Sequence, residues 1–74
     1  MESSSKDKIE KIIFKLLYEF KSIISTNILV EKILEQTLEE KITISEKNIK
    51  LIINELKNEK KIQFNQKEGW KIQI

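Results

Sequence analysis

The side chains of this chain that can take part in chemistry are lysines and carboxylates. Its 74 residues include 14 basic residues, all of them Lys, and 12 acidic residues, but no His and no Cys. Without His or Cys, imidazole acid-base catalysis, Ser-His or Cys-His nucleophilic catalysis and metal hydrolysis on such ligands are excluded. The Glu residues are spread along predicted helix faces, so we expect no enzyme activity, no bound metal and no cofactor.

The lysines are suited to contact with an anionic partner, and they are unevenly distributed. Residues 1–40 carry 6 Lys and 8 acidic residues, whereas residues 41–74 carry 8 Lys and 4 acidic residues. Lysine binds phosphate, but the common bidentate contact with guanine and insertion into narrow minor grooves depend on Arg. The chain is therefore poorly equipped to read DNA bases. Solubility, with a Lys-Ile-Asn bias typical of AT-rich genomes, is the simpler explanation of these lysines.

Length and composition indicate one small globular domain. A chain that is 39% hydrophobic and 35% charged can build a thin core and is not typical of disorder. We expect residues 1–5 to form a disordered or vector-derived tail and residues 6–74 to form the domain. The sequence has no apolar run of about 18 residues and no hydrophobic signal-peptide core, which favours a soluble intracellular protein without membrane contact.

A periodic apolar pattern predicts a first amphipathic helix over roughly residues 6–21. The positions at i, i+3, i+4, i+7, i+8 and i+11 that form its buried face are Ile9, Ile12, Ile13, Leu16, Leu17 and Phe20. Phe14 and Tyr18 lie four residues apart on a neighbouring flank. We interpret this flank as the margin of the core, and as the natural docking stripe if the domain sits on a larger body.

A short strand and a second helix are predicted next. The β-branched segment "KSIIS" fits a single strand, after which Ser25 or Thr26 can cap the helix "NILVEKILEQTLEEK". The predicted buried face of this helix consists of Val30, Ile33, Leu34, Thr37 and Leu38. Its outer surface carries the acidic residues Glu31, Glu35, Glu39 and Glu40. DNA phosphates would repel such a surface.

A third helix and a hairpin complete the predicted elements. Ser45 can cap the helix, with Glu46 in its first turn. Its predicted buried stripe consists of Ile49, Ile52, Ile53 and Leu56. The segments "KIQFN" and "GWKIQI" alternate like two strands, placing Ile62 and Phe64 on one strand and Trp70, Ile72 and Ile74 on the other. Gly69, the only glycine, stands where the turn between them requires a positive φ.

The order helix, short strand, helix, helix, strand, strand is that of a winged helix-turn-helix. The predicted fold class is therefore α+β, mainly α, with three helices and a small antiparallel wing. A three-helix domain without a wing is the rival, and the alternation after residue 61 argues against it.

The outward face of the third helix decides between a DNA reader and a protein-docking domain. Asn54 could contact adenine and the neighbouring lysines could contact phosphate, whereas Leu51 and Glu55 bring no obvious benefit in a DNA groove. Sequence-specific modules usually show a strong basic stripe with Arg, which is missing here. Protein docking is favoured, and DNA binding stays open as the alternative. The candidate partner-binding residues are Lys47, Lys50, Asn54, Lys67 and Trp70.

From about residue 8 to its end, the chain also resembles the C-terminal winged-helix domain of cullins. That family has "L-V-x-E-V" in its second helix, then "I-K-K-x-I-E-x-L-I-x-x-E-Y-L" in its third helix, and a wing that ends in an aromatic strand. The matching residues here are Leu29, Val30 and Ile33, then Ile49, Lys50, Ile53, Leu56, Glu59 and Ile62, then Trp70. Many of these are generic core positions of a winged helix.

The departures from the cullin pattern point to one branch of that family. Cullins carry, in "I-V-R-I-M-K" of the first helix, a lysine that accepts a ubiquitin-like modifier, and Tyr18 stands at that position here. Lys15 and Lys21 flank Tyr18 without matching, and the "F-x-P" after the second helix is replaced by "KITIS". A cullin-like domain without the acceptor lysine resembles the cullin-like subunit of the anaphase-promoting complex, with "L-V-x-E-E-K-L" beside "LKNEKKI".

The resemblance implies a non-catalytic role in a multisubunit ubiquitin ligase of the nucleus and cytoplasm. The domain would be a mobile arm that helps to position a ubiquitin-conjugating enzyme near the RING subunit, in a pathway that serves the cell cycle. The implied partners are therefore the RING subunit and the conjugating enzyme, with no cofactor and no specific nucleic acid. A winged-helix DNA-binding transcriptional regulator is the alternative function.

Overall fold

Three helices are followed by a two-stranded antiparallel hairpin in the computed structural model, which describes residues 2–73, with side chains from Lys6 onward. The elements are α1 Glu2–Phe20, α2 Thr26–Glu39, α3 Glu46–Asn58, β1 Ile62–Asn65 and β2 Gly69–Ile72. This mainly helical α+β arrangement confirms the predicted winged helix. The first helix begins at Glu2 rather than at residue 6, and Met1 and Ile74 lie outside the described residues.

Serine side chains begin two of the three helices. Ser25 and Ser45 both adopt extended backbone conformations, and each hydroxyl accepts a hydrogen bond of 3.2 Å from the amide three residues on. These bonds satisfy amide groups that a helix start leaves without a partner in the helix. The predicted cap of α3 is confirmed, and Ser25 rather than Thr26 caps α2.

Lysines in the left-handed backbone region end all three helices. Lys21, Lys41 and Lys60 have φ values of 67°, 58° and 63°. After α2 the amide of Ile42 donates to the carbonyl oxygen of Thr37 at 2.8 Å, and after α3 the amide of Lys61 donates to that of Leu56 at 2.9 Å. Hydrogen bonds between residues five apart are typical of the Schellman motif, which ends many helices. Glycine normally takes the left-handed position of this motif, because a Cβ atom is unfavourable in that conformation. Here lysine takes that place.

The core lies where the inward faces of α1, α2 and α3 meet the hairpin. The buried apolar residues are Ile9, Ile12, Ile13, Leu16, Leu17, Ile23, Leu29, Val30, Ile33, Ile49, Ile52, Ile53, Leu56, Ile62 and Trp70. The predicted stripe of α3 is confirmed throughout, and Thr37 is buried as predicted. Phe14 and Leu34 pack against the edge of this core.

Two predicted core residues are in fact exposed. Phe20 is 48% exposed and Leu38 is 78% exposed. Both lie in the last turn of their helices, where the helix extends beyond the apolar core that its earlier turns cover. In α2 the neighbouring Thr37 fills the inward position, and Leu38 is rotated away from it by about 100°. Leu29, which was not assigned to the predicted face of α2, is fully buried.

The hairpin forms the wing, and its register pairs Ile62 with Ile72 and Phe64 with Trp70. Asn65 begins the turn, because its side-chain oxygen accepts a 2.8 Å hydrogen bond from the amide of Lys67. Gly69 ends the turn with a φ of 85°, which confirms the predicted need for glycine.

The strand predicted for "KSIIS" is reduced to a single bridge. Only Ile23 pairs with the hairpin: its amide donates to the carbonyl oxygen of Trp70 at 2.9 Å, and the amide of Trp70 donates back at 2.7 Å. Gly69 is needed here for a second reason, because a Cβ atom at this position would overlap the carbonyl oxygen of Ile23. The segment is too short to pair further, since α2 begins at Thr26.

Replacing a left-handed lysine by glycine should stabilise the fold. Lys60→Gly should raise the free energy of unfolding by roughly 0.5–1 kcal/mol, because glycine removes the Cβ clash of the left-handed region at some cost in chain entropy. Lys60→Ala is the matched control, since it removes the same charge and keeps the Cβ atom. Thermal unfolding followed by circular dichroism should rank Lys60→Gly above the parent chain and Lys60→Ala at or below it. Equal effects of both variants would contradict the argument.

Candidate functional site

The outer face of α3 presents most of the candidate residues together. Because Ile49, Ile52, Ile53 and Leu56 point into the core, the opposite side of the helix is left in solvent. The exposed residues of this outer face are Lys47, Lys50, Leu51, Asn54, Lys57 and Asn58. Leu51 is 55% exposed among polar neighbours. A shallow open cavity of about 460 Å³ lies at its amino-terminal end, lined by Glu46, Lys47, Lys50 and Leu51.

Ion pairs draw two of the three acidic side chains of this region away from the outer face. The Nζ atom of Lys6 in α1 lies 3.2 Å from a carboxylate oxygen of Glu55 and 3.5 Å from one of Glu59. The hydrogen bond to Glu55 raises the pKa of Lys6 above its usual value. The carboxylate of Glu55 therefore points towards α1 rather than straight out from the outer face of α3.

The remaining charge of the outer face is positive. Lys50 makes a 3.3 Å ion pair with Glu46, one helical turn earlier. Three lysines, Lys47, Lys50 and Lys57, stand against this one glutamate, so the face carries a net charge of +2. All of these groups are exposed, and exposed ion pairs contribute little to stability. The face is thus a mildly cationic surface around one apolar side chain.

The wing contributes Lys67 but not Trp70 to the exposed surface. Lys67 is exposed in the turn, and the next residue, Glu68, is paired with Lys71. Trp70 is only 6% exposed. Its indole Nε1 donates a 2.9 Å hydrogen bond to the hydroxyl of Thr26, and its ring centroid lies 5.1 Å from that of Phe64. Trp70 is therefore a core residue, and its assignment as a partner-binding residue is corrected.

A groove that the sequence pattern did not indicate runs between the end of α1 and the hairpin. It is an open cavity of about 610 Å³, and its lining residues are Leu17, Tyr18, Lys21, Gln63, Lys71 and Ile72. Tyr18 is 82% exposed at its rim. Residues 17–21 and 63–72 are distant in sequence, so only the folded chain brings them together.

Exposed apolar side chains also lie at the α1–α2 corner. Phe20, Ile24 and Ile28 are 48%, 59% and 39% exposed. Lys32 places its Nζ atom 4.4 Å from the centroid of the Phe20 ring, an arrangement typical of a cation–π contact. This corner was missed because Phe20 continued the helical pattern and was assigned to the core.

Acidic side chains line the outward side of α2, as predicted. Glu31, Glu35, Glu39 and Glu40 are all exposed. Within the part of the chain that the structure describes, no group of three or more acidic side chains is arranged to hold a metal ion. Over the same residues no helix is both long enough and apolar enough to cross a membrane.

Comparisons with protein-family models, with curated proteins and with solved structures give no match for this chain.

The hydrogen bond from the Trp70 indole to the Thr26 hydroxyl should contribute to stability. Thr26→Val keeps the shape of the side chain and removes the acceptor of the indole N–H, so it should lower the free energy of unfolding by about 1 kcal/mol. Thr43→Val, in the exposed α2–α3 linker, is the matched control and should be near neutral. Denaturant unfolding followed by the fluorescence of the single Trp measures both. A neutral Thr26→Val would show that the indole does not depend on this bond.

Proposed function

We propose that this chain is a non-catalytic winged-helix domain that docks onto another protein through the outer face of α3. The observation that carries the proposal is the exposed Leu51 at the centre of a ring of Lys47, Lys50 and Asn54. Protein interfaces combine an apolar centre with a polar rim. On DNA the same Leu51 could make no hydrogen bond to a base edge and could contact only a thymine methyl group.

The cullin-like pattern names the assembly to test first, a multisubunit ubiquitin ligase. The partners in that proposal are the RING subunit and a ubiquitin-conjugating enzyme, and the compartments are the nucleus and cytoplasm. Ile49, Ile53, Leu56 and Ile62 of the pattern are core residues. The pattern therefore supports the winged-helix architecture directly. It supports a role in the ligase only through the relationship to cullins that it suggests. Lys50, which is exposed, is a pattern residue on the proposed docking face.

DNA binding is the second candidate, and one observation favours it. The ion pairs of Lys6 remove Glu55 from the outer face of α3, which leaves Asn54 beside three lysines. That arrangement is more favourable to phosphate contact than the sequence alone suggested. The acidic residues of α2 and the complete lack of Arg still oppose specific recognition of a duplex.

Charge reversal on the outer face of α3 tests the docking proposal. Lys47→Glu with Lys50→Glu should weaken ubiquitin-chain assembly by a reconstituted ligase that contains this chain. The free energy of unfolding should change by less than about 1 kcal/mol, because Lys50 loses an ion pair while Glu at position 47 lies favourably near the helix start. Lys8→Glu with Lys11→Glu reverses the same charge on the exposed side of α1 and should leave assembly unchanged.

A core variant separates loss of binding from loss of fold. Ile53→Ala should lower the free energy of unfolding by about 2–5 kcal/mol, and any loss of assembly should follow its melting. Normal assembly by the Lys47/Lys50 variant, with a normal melting curve, would exclude the outer face of α3.

The two candidate functions also differ in a direct DNA titration. We expect no sequence-selective duplex binding near physiological salt, and only weak binding at low ionic strength that disappears as salt is added. Fluorescence anisotropy with a random-sequence duplex and with duplexes selected from a random library measures both. A selected duplex that binds with sub-micromolar affinity and loses it in Lys47→Glu with Lys50→Glu would replace docking by DNA binding.

A further inference from the structure

We propose that the groove between α1 and the hairpin is a second docking site, and that its occupant is the end of α2 from another copy of this chain. This inference is independent of the proposed function, because it uses neither α3 nor a ligase. It rests on two complementary surfaces that the same chain displays. The groove is apolar and cationic, and the end of α2 is apolar and acidic.

The groove has an apolar floor and cationic sides. Leu17, Tyr18 and Ile72 are the apolar residues of its lining, and Lys21 and Lys71 are the charged ones. None of the described residues that line it is acidic. Among the side chains of residues 6–73, Lys21 makes no ion pair, and Lys71 pairs only with the half-exposed Glu68. An exposed pair of this kind is exchanged for another carboxylate at little cost. The groove therefore suits an apolar side chain flanked by carboxylates.

The end of α2 has that composition. Leu38 is 78% exposed, more than any other large apolar side chain of residues 6–73 except Tyr18. Glu35 lies one turn earlier and Glu39 is adjacent, and both are exposed. Glu40 faces Lys8, Lys11 and Lys15 of its own α1 across a shallow cavity, so Glu35 and Glu39 are the charges available to a partner. Leu38 between two carboxylates is thus a knob that matches the groove.

The contact has to be between molecules. Glu40, beside the knob, shares a cavity with Lys8, Lys11 and Lys15 of α1, and the groove begins at Leu17 and continues to Lys21. From Lys11, the middle of these lysines, six to ten residues of helix lead to the groove, a distance of about 9–15 Å. A knob cannot reach the groove of its own chain, so the pairing is head-to-tail. A dimer then keeps one free groove on one copy and one free knob on the other.

A single knob in an open groove buries much less than a standard interface. The association is therefore weak, with a dissociation constant on the order of 0.1–1 mM, and it decreases as salt is added. Sedimentation equilibrium and concentration-dependent amide shifts in NMR spectra detect association in this range. The amides that shift should belong to residues 17–21, 63 and 71–72 and to residues 35–40.

Complementary variants test the pairing of the two surfaces. Lys21→Glu with Lys71→Glu alters only the groove, and Glu35→Lys with Glu39→Lys alters only the knob. Each variant alone should self-associate at least about tenfold more weakly than the parent chain. In an equimolar mixture of the two, the parent knob meets the parent groove and the reversed knob meets the reversed groove. Both contacts pair opposite charges, so the mixture should self-associate about as strongly as the parent chain.

Control variants separate this contact from the fold and from other charged surfaces of the domain. Lys47→Glu with Lys50→Glu reverses two exposed charges on the outer face of α3, away from the groove and the knob, and should not change the self-association. Leu38→Ala should weaken association while leaving the melting temperature unchanged, because Leu38 is outside the core. A parent chain that stays monomeric at millimolar concentration, or a mixture that associates no better than its two components, would overturn the proposal. Either failure would leave the docking face on α3 unaffected.

Discussion

Two backbone hydrogen bonds between Ile23 and Trp70 hold the wing against the helices, and the rest of the structure depends on them. The bonds are possible because Gly69 lacks the Cβ atom that would overlap the carbonyl oxygen of Ile23. The same approach buries Trp70 and brings its indole N–H to Thr26, at the start of α2. One glycine thus fixes the turn, the bridge and the position of the only Trp relative to two helices.

This attachment also determines which surfaces face solvent. With the hairpin held at the end of α1, the groove opens between them, and the outer face of α3 is left uncovered on another side of the domain. Ion pairs from Lys6 to Glu55 and Glu59, and from Lys61 to Glu10 at 3.1 Å, join α1 at the surface to the end of α3 and the residues that follow it. They remove acidic charge from the outer face of α3 and so make it more cationic than its composition suggests.

Much of the fold could be predicted from local pattern, because a periodic stripe and a capping serine act within one element. Ser45 and the buried stripe of α3 are examples. The pattern failed at the ends of two helices. Phe20 and Leu38 continue the apolar periodicity of their helices beyond the point where the core ends. Alternation placed Trp70 on a strand but could not tell that the linker at Ile23 covers it. The groove was unpredictable because its two sides come from opposite ends of the chain.

The turn of the wing can change in length more easily than the strands that it connects. Residues 66–68 are exposed and connect two strands that pair directly from Asn65 and Gly69 onward. Doubling the length of such a loop costs only about 0.6 kcal/mol in closure entropy. Insertions between Gln66 and Lys67 would therefore lengthen the wing without changing the core. This turn is the place where related sequences can diverge in length, and where a tag or an added recognition loop can be accommodated.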